Sequence, residues 1–192
     1  MTADEKQMIA AALSSLRRVY AGTLGELRLL PGRVVDATAF WPAPPPGTSR
    51  LWRTSPAVVP ETRPQRDRHG RGWSLADSAA LSLGFVHRDL LGVEPRKGRE
   101  GYTALRDAVL ERGVRVLDAT PVRVDVDRYV HKLPRGVVAQ PYRATLSTGS
   151  LVAEAALSAI GQSRHLGGGL LRPFDVPTDV VDEWMGGHSW SL

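Results

Sequence analysis

The stretch GQSRHLGGGLLRP, residues 161–173, decides how the fold is interpreted. Four of its first nine residues are glycines, namely Gly161, Gly167, Gly168 and Gly169. Glycine permits positive φ and close backbone approach, and Arg164 and His165 supply donors to phosphates or base edges. The segment therefore suits either contact with a nucleic-acid backbone or a tight turn between a helix and a strand.

The neighbours of this glycine segment exclude a dinucleotide-binding loop. The apolar run from Leu151 to Ile160 predicts a short helix before it, and residues 169–174 predict a final strand after it. A dinucleotide-binding glycine motif instead follows a strand and opens a helix, and the segment contains no P-loop lysine. An RNA-contacting loop and a simple turn remain as the two interpretations.

Further from the glycine segment, the proline-rich stretch WPAPPPG at residues 41–47 predicts a boundary. Residues 1–47 are expected to contain an amphipathic helix over about 3–20, a short strand in GELRLLPG and this linker. Residues 48–174 are expected to form one domain. Residues 175–192 carry acids and neither lysine nor arginine, which predicts an acidic tail.

The pattern between residues 48 and 174 predicts alternating strands and helices. Residues 51–60 predict a strand that Pro56 confines to a sheet edge or a bulge, and helices are expected from Ser74 to Gly92 and over 102–112. VRVLDA at 114–119, PVRVDVDRYV at 121–130 and residues 142–146 carry strand signals. Apart from one extra helix, this order predicts an α+β, ferredoxin-like (RRM-like) βαββαβ domain with a short N-terminal helical segment.

Composition limits the possible chemistry. The 192 residues include no cysteine, so disulfides and thiolate zinc sites are excluded. No apolar run is long enough to span a membrane and the chain begins acidic and polar, which predicts a cytoplasmic protein without a membrane partner. The formal charge of +5 favours an anionic partner.

Positive charge is concentrated between residues 50 and 71, where six arginines accompany two acidic residues. Four of these arginines belong to a loop expected over residues 61–72, namely Arg63, Arg66, Arg68 and Arg71. Such a flexible basic strip could bind RNA phosphates, with a salt-dependent affinity. A solvated surface without a ligand is the alternative.

Two stretches resemble the RAMP proteins of CRISPR systems. The order of helix, glycine-rich basic loop and short last strand resembles their C-terminal signature, and RLWRTSPAVVPETRPQ at 50–65 is similar to the tryptophan-containing strand of the GSU-type fused family of subtype I-U (I-G). The resemblance covers about residues 50–173 and the repeat-processing half of the fused protein.

This resemblance implies a metal-independent endoribonuclease that needs no cofactor. Such an enzyme would bind a CRISPR repeat hairpin, cleave it to a 2′,3′-cyclic phosphate and retain the product beside the other subunits of an effector complex. A non-catalytic RAMP subunit that binds guide RNA is the alternative. A third possibility is an unrelated ferredoxin-like domain that binds a small anion or a protein.

Cleavage by a 2′-hydroxyl needs a general base, a general acid and a cation, and histidine suits either proton transfer. The candidates are His69 in the arginine loop, His131 beside Lys132 and Arg135, and His165 in the glycine segment. For each of them a structural or solvated role is the alternative. No two histidines have the spacing of a helical metal pair. Residues expected to contact RNA in the glycine segment are Gly161, Gln162, Ser163, Arg164, Gly167, Gly168, Gly169 and Arg172.

Overall fold

The computed structural model describes residues 2–20, 25–30, 35–62, 66–94, 98–126, 140–154 and 156–186. The chain divides into two compact units, Met1–Phe40 and Trp41–Leu192. This division precedes the WPAPPPG stretch, whereas the sequence pattern predicts a boundary behind it.

The described residues of the first unit form one α-helix, one small antiparallel sheet and one 3₁₀ turn. Helix α1 spans Ala3–Ser14 and begins with a capping box, in which Thr2 Oγ1 accepts from the Glu5 amide and Glu5 Oε2 accepts from the Thr2 amide. Strand β1, Arg18–Tyr20, pairs with β2, Glu26–Arg28. The strand expected in GELRLLPG is confirmed, but α1 ends before residue 20 because β1 follows it. A 3₁₀ turn covers Ala37–Ala39.

The second unit is built on a four-stranded antiparallel sheet, which confirms the α+β class. Its strands are β3 (Thr48–Thr54), β4 (Arg115–Pro121), β5 (Tyr142–Ser147) and β6 (Leu171–Pro177). They lie in the order β4-β5-β3-β6, and each neighbouring pair is antiparallel. Strand β3 pairs with β6 along its whole length, from Thr48 opposite Pro177 to Thr54 opposite Leu171.

Two strand predictions are wrong in detail. Strand β3 lies inside the sheet rather than at its edge, because it ends at Thr54 and leaves Pro56, which cannot donate a ladder hydrogen bond, outside the pairing. Residues 114–130 form one strand rather than two within the described part of the chain. Residues 122–126 are not in a strand, and 127–130 lie outside the described residues.

The helix predicted over Leu151–Ile160 is also wrong. The described residues of this stretch form turns and irregular backbone. The Ile160 amide donates to Gly169 O at 2.9 Å, the Leu171 amide donates to Ser158 O at 2.9 Å, and Ala159 forms a β-bridge with Leu170. Extended pairing with the glycine segment therefore replaces the local preference for a helix.

Two helices, both expected from the sequence, separate β3 from β4. Helix α2, Leu75–Leu91, begins at the capping residue Ser74 and ends at Gly92, whose φ is 64°. It packs on one face of the sheet, where Leu83 joins Trp52 and Leu146 in the core. Helix α3, Arg99–Glu111, packs on α2, and a Cβ at Gly84 would lie 2.7 Å from Leu105 Cγ. Glycine thus allows the two helices to approach closely.

Most of the predicted acidic tail belongs to regular structure. Residues 175–177 complete β6, and helix α4 spans Thr178–Gly186. Val181 is buried, and Ser49 Oγ in β3 donates to Thr178 Oγ1 at 3.1 Å. Residues 187–192 lie outside the described residues. Across the described ranges, no helix has both the length and the apolar character needed to cross a bilayer.

The two leucines of α2 with opposite environments test this packing. Leu83 is 0% exposed and Leu90 is 60% exposed. We expect Leu83→Ala to lower the free energy of unfolding by about 2–5 kcal/mol, because it removes core contacts and leaves a cavity. The matched variant Leu90→Ala should change it by less than about 0.5 kcal/mol. Urea denaturation measures both, and equal losses would contradict this orientation of α2.

Candidate nucleic-acid interface

The glycine segment forms a closed loop that leads into β6. The backbone bond from Ile160 to Gly169 O closes it, and the Gly168 amide donates to Ser163 O at 3.0 Å across its interior. The Gln162 amide donates to Val59 O at 2.7 Å. The loop is therefore attached to the segment that follows β3.

Three of the four glycines are required by packing within the protein. A Cβ at Gly161 would overlap the side chain of Val58, one at Gly168 would overlap the Ser163 hydroxyl, and one at Gly169 would overlap the carbonyl of Ile160. Gly161 and Gly169 also have φ values of +93° and +63°, which only glycine adopts readily. These glycines face protein, so the turn interpretation accounts for them.

Fewer residues of the glycine segment are exposed to solvent than the sequence suggests. Gln162, His165 and Gly167 are exposed, and so is Arg172 at the start of β6. Ser163 is buried, and its hydroxyl has no hydrogen-bond partner among the described residues. Of the residues expected to contact RNA in this segment, only these four exposed ones are freely accessible to a ligand.

Arg164 is bound to the protein itself. Its Nη1 lies 3.2 Å from Glu61 Oε1 and donates to Gly161 O at 3.0 Å. The Ser82 hydroxyl of α2 also donates to the Glu61 carboxylate. Burial raises the pKa of Glu61 and outweighs the hydrogen bond from Ser82 and the positive charge of Arg164, both of which lower it. This ion pair joins the glycine loop to α2 through Glu61.

Tyr142 of β5 completes a polar group next to this ion pair. Its side chain is fully buried, and its hydroxyl makes no hydrogen bond of ordinary geometry among the described residues, although Ser82 and Glu61 are near enough to influence it. Burial raises the pKa of the Tyr142 phenol. We call Glu61, Ser82, Tyr142 and Arg164 the Glu61 cluster. Sequence reasoning missed the role of Glu61, because a single glutamate in a loop carries no motif.

The arginine loop is held by ion pairs, whereas the sequence suggested a flexible strip. Arg68 Nη2 lies 3.1 Å from Asp107 in α3, and Arg71 contacts Asp67 and Asp77 at 3.4 and 3.5 Å. Arg66 Nη1 donates to Gly70 O at 2.7 Å. Arg63 lies outside the described residues. The carboxylates reduce the positive charge that this loop presents.

A buried acid organises the same loop. Oδ1 of Asp67 accepts the amides of His69 and Arg71, each at 2.9 Å. Burial raises the pKa of Asp67. The two amide hydrogen bonds and the positive charges of Arg106 and Arg71 lower it by more than burial raises it, so the pKa lies below its usual value. Arg106 also binds Asp77 at 2.7 Å, which ties the loop to the start of α2. The loop is therefore built around an ionised Asp67.

The two described candidate histidines occupy separate settings. His69 is exposed, and its Nε2 accepts from Arg68 Nε at 2.9 Å. His165 is exposed in the 3₁₀ turn Arg164–Leu166, and no hydrogen bond joins it to His69 in the described part of the chain. His131, Lys132 and Arg135 lie outside the described residues. Among residues that are described, no three His, Asp or Glu side chains are grouped to hold a metal ion.

No protein-family model, curated protein or solved structure matches this chain.

The Glu61 cluster gives a pH-dependent expectation. Because the pKa of folded Glu61 is raised above its unfolded value, its contribution to stability is fully present below about pH 4.5 and is lost as the pH rises through the folded pKa. Glu61→Gln cannot titrate. Relative to wild type, we expect its free energy of unfolding to increase as the pH rises through that pKa.

Urea denaturation between about pH 4 and about pH 8 measures this difference. Glu111→Gln, at the exposed end of α3, is the matched control for the loss of one carboxylate. A Glu61→Gln difference that is constant with pH, or that changes in the opposite direction, would refute the assignment.

Proposed function

We propose that this chain is a ferredoxin-like RAMP protein that binds CRISPR repeat RNA and cleaves it without a metal ion. The observation that carries the proposal is the position of the basic glycine loop, directly before the last strand of a sheet ordered β4-β5-β3-β6. If β3 to β6 are numbered as the first to fourth strands of the second unit, their order across the sheet is 2-3-1-4.

The strand directions support the ferredoxin-like assignment. Strands β3 and β4 run in the same direction with β5 between them, and α2 and α3 make the connection. Strands β5 and β6 also run in the same direction, with β3 between them. Two interleaved split connections of this kind define the βαββαβ pattern. The second connection departs from the pattern, since its described residues contain the glycine loop and no α-helix.

The exposed side of the glycine loop supports RNA contact. Gln162 and His165 offer side-chain donors, Gly167 leaves its backbone accessible, and Arg172 adds a positive charge at the end of the loop. Phosphate oxygens are the usual partners of such donors in nucleic-acid complexes. The Glu61 cluster then acts as a support, because Arg164 holds the loop in place from beneath.

The reaction follows from the chemistry of the 2′-hydroxyl. Its oxygen attacks the adjacent phosphorus while a base takes its proton, the bond from phosphorus to the 5′-oxygen breaks, and an acid gives that oxygen a proton. The products are a 2′,3′-cyclic phosphate and a 5′-hydroxyl. His165 is the first candidate for one proton transfer, because it is exposed on the loop; His69 and His131 are the others. The product would stay bound as part of an effector complex.

A second candidate function is a non-catalytic RAMP subunit that holds guide RNA. The observation that favours it is the hydrogen bond of His69, whose Nε2 accepts from Arg68 Nε and not from a group in the glycine loop. RNA binding is common to both functions, and only cleavage distinguishes them.

A cleavage assay in EDTA separates the two functions. We expect the purified protein to cut a labelled CRISPR repeat hairpin at one position and leave a cyclic phosphate, and a 2′-deoxy substitution at that position to block the cut. His165→Ala should lose about 100-fold or more in rate while the gel shift is retained.

Each of three other results would exclude a different part of the proposal. A hairpin that shifts on the gel but stays intact would leave only the guide-binding subunit. Normal cleavage by His69→Ala, His131→Ala and His165→Ala would disprove the histidine assignment alone. Binding of the repeat hairpin no tighter than that of an unrelated hairpin would disprove both functions.

A further inference from the structure

The sheet has a second face, opposite α2, that carries exposed arginines. Residues directly opposite each other in antiparallel strands point to the same face. Trp52 points toward α2, so its neighbour Arg53 points away, together with its cross-strand partners Arg172 in β6 and Thr145 in β5. Arg143, two residues before Thr145, shares this face and lies opposite Thr120 of β4.

Arg53 and Arg172 place two positive charges directly opposite each other on neighbouring strands. Both side chains are exposed, and neither has a carboxylate partner within the described ranges. Like charges placed directly across two strands destabilise a sheet. The Arg53 guanidinium lies 4.9 Å from the centre of the Phe174 ring, which holds it over the sheet. An anion bound between the two guanidiniums would offset their repulsion.

In the strand register, three arginines and one carboxylate lie close together on this part of the face. Asp118, Thr145, Arg53 and Arg172 lie opposite one another across the four strands. Asp118 of β4 is the carboxylate of this row and is separated from Arg53 by Thr145. Asp175 of β6 points to the opposite face, where it binds Arg50 at 2.8 Å. We call Arg53, Arg143, Arg172 and Thr145 the open arginine face.

Helix α4 covers a different part of this side of the sheet. The side chain of its first residue, Thr178, accepts a hydrogen bond from Ser49 Oγ, and the helix packs on β3 and β6. The open arginine face lies at the other end of β3. Beside Arg143 it continues into an open depression of about 380 Å³, whose lining includes Thr120, Arg123 and Asp125.

We infer that the open arginine face binds the phosphodiester backbone of single-stranded RNA, as part of the proposed RNA-binding function on which this inference rests. Its three guanidiniums lie on three adjacent strands, β5, β3 and β6, rather than converging on one point. Such a spread matches a chain of phosphates better than one small anion. Arginine is also the side chain best suited to paired hydrogen bonds with phosphate.

Arg172→Glu tests this inference with a readout that a structural role would not give. The substitution places opposite charges on the β3 and β6 neighbours and leaves Arg53 over Phe174, so the midpoint of urea unfolding should not fall. Binding of a fluorescein-labelled oligouridylate, measured by anisotropy, should weaken about tenfold or more, and the slope of log affinity against log salt should shrink by about 0.7 or more.

Two variants serve as controls. Arg88→Glu makes the same charge change at an exposed position of α2, which packs on the opposite face of the sheet, and should change affinity less than about threefold. Arg172→Lys keeps the charge and should retain most of the affinity.

The outcomes distinguish this inference from the proposed function. If Arg172→Glu binds oligouridylate as tightly as wild type, or no more weakly than Arg88→Glu does, the inference is wrong, and repeat cleavage would still stand. If wild type binds oligouridylate through this face but does not recognise the repeat hairpin, the proposed function is wrong. If wild type binds neither RNA at low salt, both are wrong.

Discussion

Val58 and Val59 form backbone hydrogen bonds on both sides of one short extended segment. Val58 exchanges both bonds with Tyr142 of β5, at 2.8 and 2.9 Å, and Val59 O accepts from Gln162 of the glycine loop. Both valines are buried. The segment therefore attaches the loop to the sheet, and Gly161 has to be glycine because a Cβ would overlap Val58. The positions of the exposed side chains of the loop, Gln162 and His165, therefore depend on the hydrogen bonds of Val58 to β5 and of Val59 to the loop.

The loop consequently has an inner side and an outer side with different requirements. On the inner side, glycines pack against backbone, and Arg164 binds the buried Glu61. On the outer side, Gln162 and His165 are free to meet a ligand. Rigid support beneath an exposed polar surface is the usual way in which proteins hold binding groups in position.

The arginines also fall into two groups, those paired with carboxylates and those without such a partner among the described residues. Those of the loop before α2 bind carboxylates, as Arg68 does with Asp107 and Arg71 with Asp67. Those of the open arginine face have no such partner among the described residues. A count of arginines in the sequence therefore does not show which surface carries unpaired positive charge, because the pairing of arginines with carboxylates is created by the fold.

Sequence reasoning succeeded where the signal is local. The Ser74 cap and Gly92 predicted α2, and the alternation of Tyr142, Ala144 and Leu146 predicted β5. It failed where distant residues decide. The described residues of the apolar run 151–160 form no helix, because the end of the run pairs with the glycine segment. Arg53 and Arg172 lie on the same face because their strands are neighbours, and no local sequence pattern reveals the strand order.

Arginine footprinting with phenylglyoxal, read by mass spectrometry with and without repeat RNA, tests the central claim most directly. If RNA lies along the outer side of the loop and the open arginine face, Arg53, Arg143 and Arg172 should be modified more slowly when RNA is bound. Arg88 and Arg99, exposed on α2 and α3, should be modified at the same rate. Unchanged modification of the three face arginines in the RNA complex would contradict the claim.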